Sequence, residues 1–276
     1  MSYCFVLSGF ADEIDADLKV QMDVMDQHGI KYMEMRGVNG RNLTDHTLEE
    51  VKEIKKQLDQ RGFNLSAIGS PIADDFNPHL EKFRHTLKIA EIMEAEYIRM
   101  FSFFIPKGKD PALYRDEVLK RWRAFLKAAD GTGIILLHEN EKDIYGDIPE
   151  RCLDLVESLN SENFRLTFDP ANFVQCDVEV YPRAFDMLKK YIEYMHIKDA
   201  LYDGHQVVPS GQGDGQIEYI LKALKEMGYQ GFLSLEPHLG NFTGFAELEF
   251  GTPGADLPEG GPKQFAIAVQ ALKKLL

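Results

Sequence analysis

Short apolar runs alternate with helix-like periodicity along the whole 276-residue chain. Each of these runs is too short for a helix and has the length of a buried β-strand. The eight predicted strands are Cys4–Ser8, Lys31–Met35, Asn64–Ile68, Tyr97–Phe101, Ile134–His138, Phe164–Phe168, Tyr194–Ile197 and Gly231–Leu235. Each run precedes a segment with apolar residues three or four positions apart, which indicates a helix with one buried stripe.

Capping signals mark the starts of several of these helices. Thr47 and Glu50 have capping-box spacing, and an apolar stripe runs from there until Gly62, a residue typical of helix ends. Prolines mark further starts because proline suits the first helical turn. They occur in the pairs Asn77-Pro78, Asp110-Pro111, Tyr181-Pro182 and Gly261-Pro262.

Eight strand–helix units predict an all-parallel sheet covered by helices, in α/β class. Their number and the chain length match a (β/α)₈ TIM barrel, which typically has about 250 residues. A doubly wound open sheet is the alternative, but no GxGxxG sequence follows the first strand. We find no linker and predict a single domain over residues 1–276. The long connection Pro237–Gly261 is expected to be functional because long loops in compact barrels usually are.

Composition limits the partners and the location. A net charge of −14 opposes binding to nucleic acid or to an anionic membrane, since both need a basic surface. Three cysteines without CxxC spacing favour a reducing cytoplasm over a disulfide framework. No apolar run approaches the roughly 20 residues of a membrane span, and no signal peptide is evident. A homo-oligomer is compatible with the sequence.

Ionisable residues gather at the ends of the last four strands, where a barrel of this type carries its active site. These ends read His138-Glu139-Asn140-Glu141, Asp169 with Asn172, His196 with Lys198 and Asp199, and Glu236 with His238. Three carboxylates on one rim raise each other's pKa unless a cation neutralises them. Carboxylates with one imidazole suit Mn²⁺, Mg²⁺, Co²⁺ or Zn²⁺. Each residue alone is also compatible with a loop salt bridge or a structural histidine, so the metal prediction depends on the whole set.

Five motifs carry a resemblance to a known family. They are HEN at 138–140, FDPAN at 168–172, HIKD at 196–199, SGQGDG at 210–215 and SLEPH at 234–238. Through them the chain resembles, over essentially its full length, the xylose isomerase-like barrels of the sugar phosphate isomerase/epimerase group. The resemblance implies one divalent metal, with Mn²⁺ the first expectation, held by Glu139, Asp169, His196 and Glu236.

The resemblance also implies a chemistry. A sugar or sugar phosphate would lose a proton beside its carbonyl through a metal-stabilised enediolate. In similar ketose epimerases two glutamates exchange that proton, which here implies Glu139 and Glu236 as the acid/base pair. Because metal binding weakens a base, each glutamate is expected to bind the metal through one oxygen or to shift its ligation during turnover.

This chain departs from similar ketose 3-epimerases at two substrate-binding positions. Asn172 stands where they carry histidine, and Tyr202 stands where they carry arginine. His205 is either a substitute for that arginine or an exposed loop histidine. The other candidates for substrate contact are Glu34, Arg36, Arg99 and Lys198. Pairing of Arg36 with Glu34, or of Lys198 with Asp199, is the structural alternative.

Two further features are compatible with either a functional or a structural role. The turn Gly211-Gln212-Gly213 is either a tight connection or a cradle for phosphate. His138, Glu141 and His238 adjoin predicted ligands, and strand alternation decides whether they support the metal site or point away from it.

Three other functions are alternatives to an isomerase or epimerase. A dehydratase of the inosose type would use the same site and expel a hydroxyl group. A non-catalytic sugar-binding subunit would not need the complete ligand set. A nuclease related to AP endonucleases is disfavoured because few histidines stand at the other strand ends and the chain is acidic.

Overall fold

The computed structural model describes residues 5–77, 79–241 and 259–276. Most of the connection Pro237–Gly261 that the sequence marks as functional, residues 242–258, lies outside the described residues. The start of the first predicted strand, at Cys4, lies outside them as well.

Eight parallel strands form a nearly closed barrel. They are β1 Val6–Gly9, β2 Tyr32–Met35, β3 Asn64–Gly69, β4 Tyr97–Met100, β5 Ile135–Glu139, β6 Phe164–Phe168, β7 Ile192–Ile197 and β8 Phe232–Leu235. They pair in the order β1-β8-β7-β6-β5-β4-β3-β2, and a parallel bridge between Phe10 and Glu34 connects the β1 and β2 edges. The predicted barrel is therefore confirmed, and the alternative of a doubly wound open sheet is wrong.

Helices alternate with the strands and surround the barrel. In the described residues they are α1 Leu18–Gln27, α2 Leu48–Gln60, α3 Leu80–Met93, α4 Arg115–Ala129, α5 Pro149–Leu159, α6 Pro170–Gln175, α7 Phe185–Leu188, α8 Ile217–Met227 and α9 Pro262–Leu275. Two small antiparallel pairs stand beyond the strand ends, Gly37–Val38 with Arg41–Asn42 and Asp199–Ala200 with Val207–Val208. None of the helices in the described ranges is long and apolar enough to cross a membrane.

Most of the predicted helix starts are found. Thr47 and Glu50 form both bonds of a capping box at the start of α2. The side chain of Asp110 accepts a hydrogen bond from the Ala112 amide at the turn that leads into α4, and Pro262 opens α9.

One predicted start is displaced. The helix expected after Asn77-Pro78 begins only at Leu80, because Asn77 is held in a local turn by hydrogen bonds from its backbone and side chain to Asp75. Pro182 begins a helical turn that runs directly into α7, and Tyr181 before it is extended, so the start predicted at Tyr181-Pro182 is found.

Strand alternation decides which side chains enter the barrel. On β5, Leu137 and Glu139 face the interior, where Leu137 packs in a cluster with Tyr97 and Tyr194. His138 lies between them in sequence and faces outward, stacking on Phe164. Burial lowers the pKa of His138 to about 3, and its Nε2 pairs with the Ser102 hydroxyl at 2.9 Å. His138 is therefore a neutral core residue outside the barrel interior.

Candidate active site

Four successive strands bring the predicted metal ligands to one end of the barrel. Glu139 ends β5, Asp169 follows β6 as the N-cap of α6, His196 lies on β7, and Glu236 follows β8. All four are buried, and one ligand atom from each lies within 4.8 Å of the others. The strand ends thus assemble three carboxylates and one imidazole, as their positions in the sequence predict.

Nδ1 of His196 is the centre of this cluster. It lies 2.9 Å from Glu139 Oε1, 3.4 Å from Glu236 Oε2 and 3.7 Å from Asp169 Oδ2. The other ring nitrogen, Nε2, lies 3.1 Å from Glu34 Oε2. Burial acts to lower the pKa of His196, but the Glu139 and Glu34 carboxylates outweigh it and raise that pKa well above its usual value.

The two carboxylate oxygens of Asp169 show whether the cluster fits a metal. Its Oδ1 accepts a hydrogen bond from the Asn172 amide at 2.9 Å and caps α6. Its buried Oδ2 accepts no hydrogen bond within the described residues, although Lys198 Nζ lies 3.2 Å away. A buried carboxylate oxygen needs a partner, and three oxygens with one nitrogen suit a divalent cation of the Mg²⁺, Mn²⁺ or Zn²⁺ type. The residues present therefore fit a metal ion.

An arginine stands behind each of the two glutamates. Arg99 Nε lies 3.1 Å from Glu139 Oε2, and Arg36 Nη1 donates to Glu236 Oε1 at 3.1 Å. Each glutamate thus directs one oxygen toward His196 and the other toward an arginine. Burial acts to raise the pKa of Glu236, but Lys198 and His238 outweigh it and hold that pKa well below its usual value.

Glu13 and His238 form a second buried layer next to Glu236. His238 Nε2 lies 3.5 Å from both Glu13 Oε1 and Glu236 Oε1, and the His238 amide donates to Glu13 Oε2 at 2.8 Å. Burial raises the pKa of Glu13 to about 7. Burial lowers the pKa of His238, yet Glu13 more than compensates and the value rises to about 9. Arg36 Nη2 lies 3.6 Å from Glu13 and supplies positive charge to this layer.

Asn172, Asn140 and Lys198 support the ligands. The side-chain amide of Asn172 donates to Glu139 Oε1 at 3.2 Å. The Asn140 side chain holds the Asp169 backbone with two hydrogen bonds of 2.9 Å. Lys198 Nζ donates to Glu236 Oε2 at 3.1 Å. Among the described residues, Lys198 contacts the ligand Glu236 instead of the sequence-predicted Asp199, and Arg36 pairs with Asp12 instead of Glu34.

His205 lies away from these contacts. Its Nε2 pairs with Asp177 at 3.0 Å, and its side chain is 41% exposed. The structure thus gives His205 the position of a loop histidine, and the ligand cluster is assembled without it.

The glycine-spaced loop is a structural connection. Asp199 accepts hydrogen bonds from the amides of Gly211, Gly213 and Gly215 at 2.8, 3.0 and 2.9 Å. A side chain at Gly213 would place its Cβ 2.4 Å from Asp199 Oδ1. The phosphate-cradle interpretation of this turn is therefore wrong, because the carboxylate already holds the amides that a phosphate would need.

A cavity of about 420 Å³ opens beside the cluster at the ends of β2, β3 and β4. Arg36 and Arg99 belong both to its wall and to the glutamate pairs of the cluster. Its other charged wall residues are Asp12, Arg41, Asp74 and Glu141. The volume is in the range of small-molecule sites. Asp12 and Glu13 were not singled out from the sequence, although two adjacent acidic residues shortly after the first strand were a visible signal.

Fold and site together define a (β/α)₈ barrel with a buried cluster of three carboxylates and one histidine at its C-terminal face. The family model of the xylose isomerase-like TIM barrel matches residues 22–273, and the chain belongs to that family. A search of curated proteins found no match.

Solved structures show the same fold at low sequence identity. The D-allulose 3-epimerase from Methylomonas sp. in complex with D-allulose is 15% identical with a TM-score of 0.75, covering 98% of this chain and 96% of that one. AsbF from Bacillus anthracis, a probable 3-DHS dehydratase, is 15% identical with a TM-score of 0.73, covering 97% and 98%. A xylose isomerase-like TIM barrel protein from Mycobacterium smegmatis in complex with magnesium is 15% identical with a TM-score of 0.69, covering 100% and 98%.

Proposed function

We propose that this protein is a divalent-metal-dependent isomerase or epimerase of sugars that moves a proton beside a carbonyl group. One observation carries the proposal: His196 Nδ1 faces three buried carboxylates, and Asp169 Oδ2 among them has no hydrogen-bond partner in the described residues. The likeness to a D-allulose 3-epimerase supports the choice of reaction class.

Glu139, Asp169, His196 and Glu236 would hold the metal. We propose Mn²⁺, because it accepts mixed oxygen and nitrogen ligands; a relative in complex with magnesium shows that a similar barrel takes a hard divalent cation. When bound, such an ion polarises the carbonyl of the substrate and acidifies the neighbouring C–H bond.

Glu139 and Glu236 are the proposed proton carriers. Each glutamate has one oxygen beside an arginine, Arg99 or Arg36, that also lines the cavity. The arginines fix the orientation of the two carboxylates, and a general base has to be positioned in this way. In an epimerisation, one glutamate would take the proton from one face and the other would return a proton to the opposite face.

Deuterium exchange tests this proposal. Protein stripped of metal and reloaded with Mn²⁺ is incubated in D₂O with a panel of ketoses and aldoses and followed by proton NMR. We expect uptake of deuterium at one carbon with all hydroxyl groups retained. Glu139→Gln and Glu236→Gln should each lower the rate at least about 100-fold, a usual size for loss of a general acid or base.

Glu157→Gln is the matched control, because it makes the same charge change on the exposed surface of α5. Full activity in both active-site variants on a confirmed substrate would refute the acid/base assignment.

A dehydratase on the same scaffold is the second candidate, supported by the likeness to AsbF. It would use the same ligands and the same proton abstraction, and then expel a hydroxyl group from the adjacent carbon. Proton NMR separates the two candidates, because a dehydratase produces a new unsaturated product and water rather than an exchanged sugar.

We also propose that the protein works in a reducing compartment such as the cytoplasm. Cys152 and Cys176 are free thiols. Burial raises the pKa of Cys152 well above its usual value, which keeps that thiol protonated and unreactive.

A further inference from the structure

We infer that the cavity beside the cluster selects uncharged polyhydroxy substrates and rejects phosphorylated ones, and that Asp74 and Glu141 enforce this selection. The inference rests on the proposed function for the assignment of a sugar as the substrate. It assigns a substrate class and two specificity-determining residues to that site.

The arginines in the cavity wall are already paired with carboxylates. Arg36 contacts Asp12 at 2.7 Å and Glu236 at 3.1 Å. Arg99 lies 3.1 Å from Glu139. A phosphate group is bound tightly by guanidinium groups that offer it two parallel N–H donors. Recruiting Arg36 or Arg99 for a phosphate would therefore remove charge compensation from a buried glutamate.

Arg41 is the third arginine of the wall. Its Nη2 donates to Glu50 Oε1 at 2.6 Å and lies 3.2 Å from His46 Nδ1. Arg41 thus belongs to the capping region of α2. Each arginine among the described wall residues has an acidic partner within 3.1 Å.

Two carboxylates of the wall add negative charge. Asp74 is 35% exposed in its side chain and stands in the loop after β3. Glu141 stands after β5, where its Oε2 accepts a hydrogen bond from Asn172 at 3.3 Å. In the described residues the nearest basic groups to these carboxylates, His79 for Asp74 and Lys142 for Glu141, stand farther off than the arginines' partners do, at 3.7 and 3.8 Å. A phosphate in this cavity would face like charges, which is a strong means of rejecting a ligand. The same carboxylates accept hydrogen bonds from sugar hydroxyl groups.

The glycine-spaced loop does not offer its amides to a phosphate. The amides of Gly211, Gly213 and Gly215 are held by Asp199. Phe101 and Phe104 contribute ring surface to the cavity wall, which suits the C–H faces of a neutral sugar.

Binding measurements on matched pairs test the inference. Calorimetric titration of the Mn²⁺-loaded protein compares D-fructose with D-fructose 6-phosphate and D-xylulose with D-xylulose 5-phosphate. We expect the neutral member of at least one pair to bind at least about tenfold more tightly than its phosphate ester, as like-charge contacts of this kind predict. Equal or tighter binding of the phosphate esters overturns the inference, and so does failure of every neutral sugar to bind.

Substitutions in the wall test the two residues. Asp74→Asn and Glu141→Gln, separately and together, should reduce the preference for the neutral sugar by strengthening binding of the ester. Asp116→Asn makes the same charge change at a side chain that is 99% exposed on α4 and should leave the preference unchanged. An unchanged preference in both wall variants, or an equal change in the control, overturns the assignment of Asp74 and Glu141.

The outcome separates this inference from the proposed function, because binding is measured without turnover. A neutral ketose that binds but shows no deuterium exchange counts against the proposed function and leaves the substrate class standing. Exchange observed only with phosphorylated sugars supports the proposed function and overturns the substrate class.

Discussion

Glu34 is placed to hold the proton of a neutral His196 on the ring nitrogen that faces away from the ligand carboxylates. Its carboxylate has no exposed surface and lies 3.1 Å from His196 Nε2. When the imidazole is neutral, a proton on Nε2 that is held by Glu34 leaves the lone pair of Nδ1 directed at the cluster. Glu34 was predicted from the sequence as a substrate contact, and the structure gives it the position of a residue that orients a ligand.

Removal of this acceptor should weaken metal binding. We expect Glu34→Ala to lower the affinity for Mn²⁺ roughly 10- to 100-fold, the usual effect of losing a partner of a metal-bound histidine. Glu34→Gln keeps an oxygen acceptor and should retain most of the affinity. Calorimetric titration of the apoprotein with Mn²⁺ measures both, and equal affinity in Glu34→Ala and the parent chain would contradict this role.

Asp199 holds the glycine-spaced loop against the barrel. Loss of its carboxylate leaves the amides of Gly211, Gly213 and Gly215 without their acceptor, and the last of these is buried. We expect Asp199→Ala to lower the free energy of unfolding by about 3 kcal/mol, since hydrogen bonds to charged groups contribute about 1.5–3 kcal/mol each and are rarely additive. Urea denaturation measures the change. Asp203→Ala, at an exposed position in the turn between Asp199–Ala200 and Val207–Val208, is the control. A loss below about 1 kcal/mol for Asp199→Ala would refute the role.

The ligands could be predicted from the sequence, but their surroundings could not. Parallel strands carry whatever follows them to the same barrel end, so Glu139, Asp169 and Glu236 were visible as strand-end carboxylates. Which amides Asp199 binds, and that Arg36 pairs with Asp12, depends on loops that meet only in the folded chain. Local patterns contain no information about such contacts.

The α2 helix begins with a capping box that depends on the charge of Glu50. Its Oε2 accepts a hydrogen bond from the Thr47 amide at 2.8 Å, and its Oε1 accepts one from Arg41 at 2.6 Å. These bonds lower the pKa of Glu50 to about 2. The stabilising contribution is therefore fully present above the ordinary pKa of 4.5 and is lost as the pH falls toward 2.

Melting curves at two pH values test this dependence. We expect the parent chain to have a higher melting temperature than Glu50→Gln at pH 7. The difference in melting temperature should narrow at pH 3, because Glu50 binds a proton in the unfolded chain while it stays largely ionised in the folded chain, and this proton uptake favours unfolding. Glu49→Gln changes the same charge in the same helical turn outside the capping box and should show a smaller gap at pH 7. An equal gap at both pH values for Glu50→Gln would contradict the pKa shift.

Elements were predictable where periodicity and capping agree. All eight barrel strands lie within a few residues of their predicted ranges, and the range of β6, Phe164–Phe168, agrees at both ends. The start of α3 was not predictable in the same way, because Asn77 donates hydrogen bonds to Asp75 in a local turn instead of capping the helix. Asparagine is common both in local turns and at helix N-caps, so its presence in a sequence does not separate the two.

At the scale of the molecule, the cluster joins the ends of four adjacent strands, β5 to β8. Its three carboxylates repel one another. Arg36, Arg99 and Lys198 offset part of this repulsion. A divalent cation would offset it at the centre, and its binding energy would add to the stability of the fold because an unfolded chain lacks the assembled site.

Metal binding should therefore raise the melting temperature of the whole barrel. At about 100 times the Kd, Mn²⁺ should stabilise the folded state by about 2.7 kcal/mol, which corresponds to roughly 5–10 °C for a domain of this size. Differential scanning calorimetry with Mn²⁺ and with a chelator measures the shift. Asp169→Asn keeps an oxygen for the cap of α6 but removes a ligand charge, and it should lose most of the shift. The same shift in Asp169→Asn would place the bound metal elsewhere, because Asp169 is the ligand that the end of β6 contributes to the proposed site.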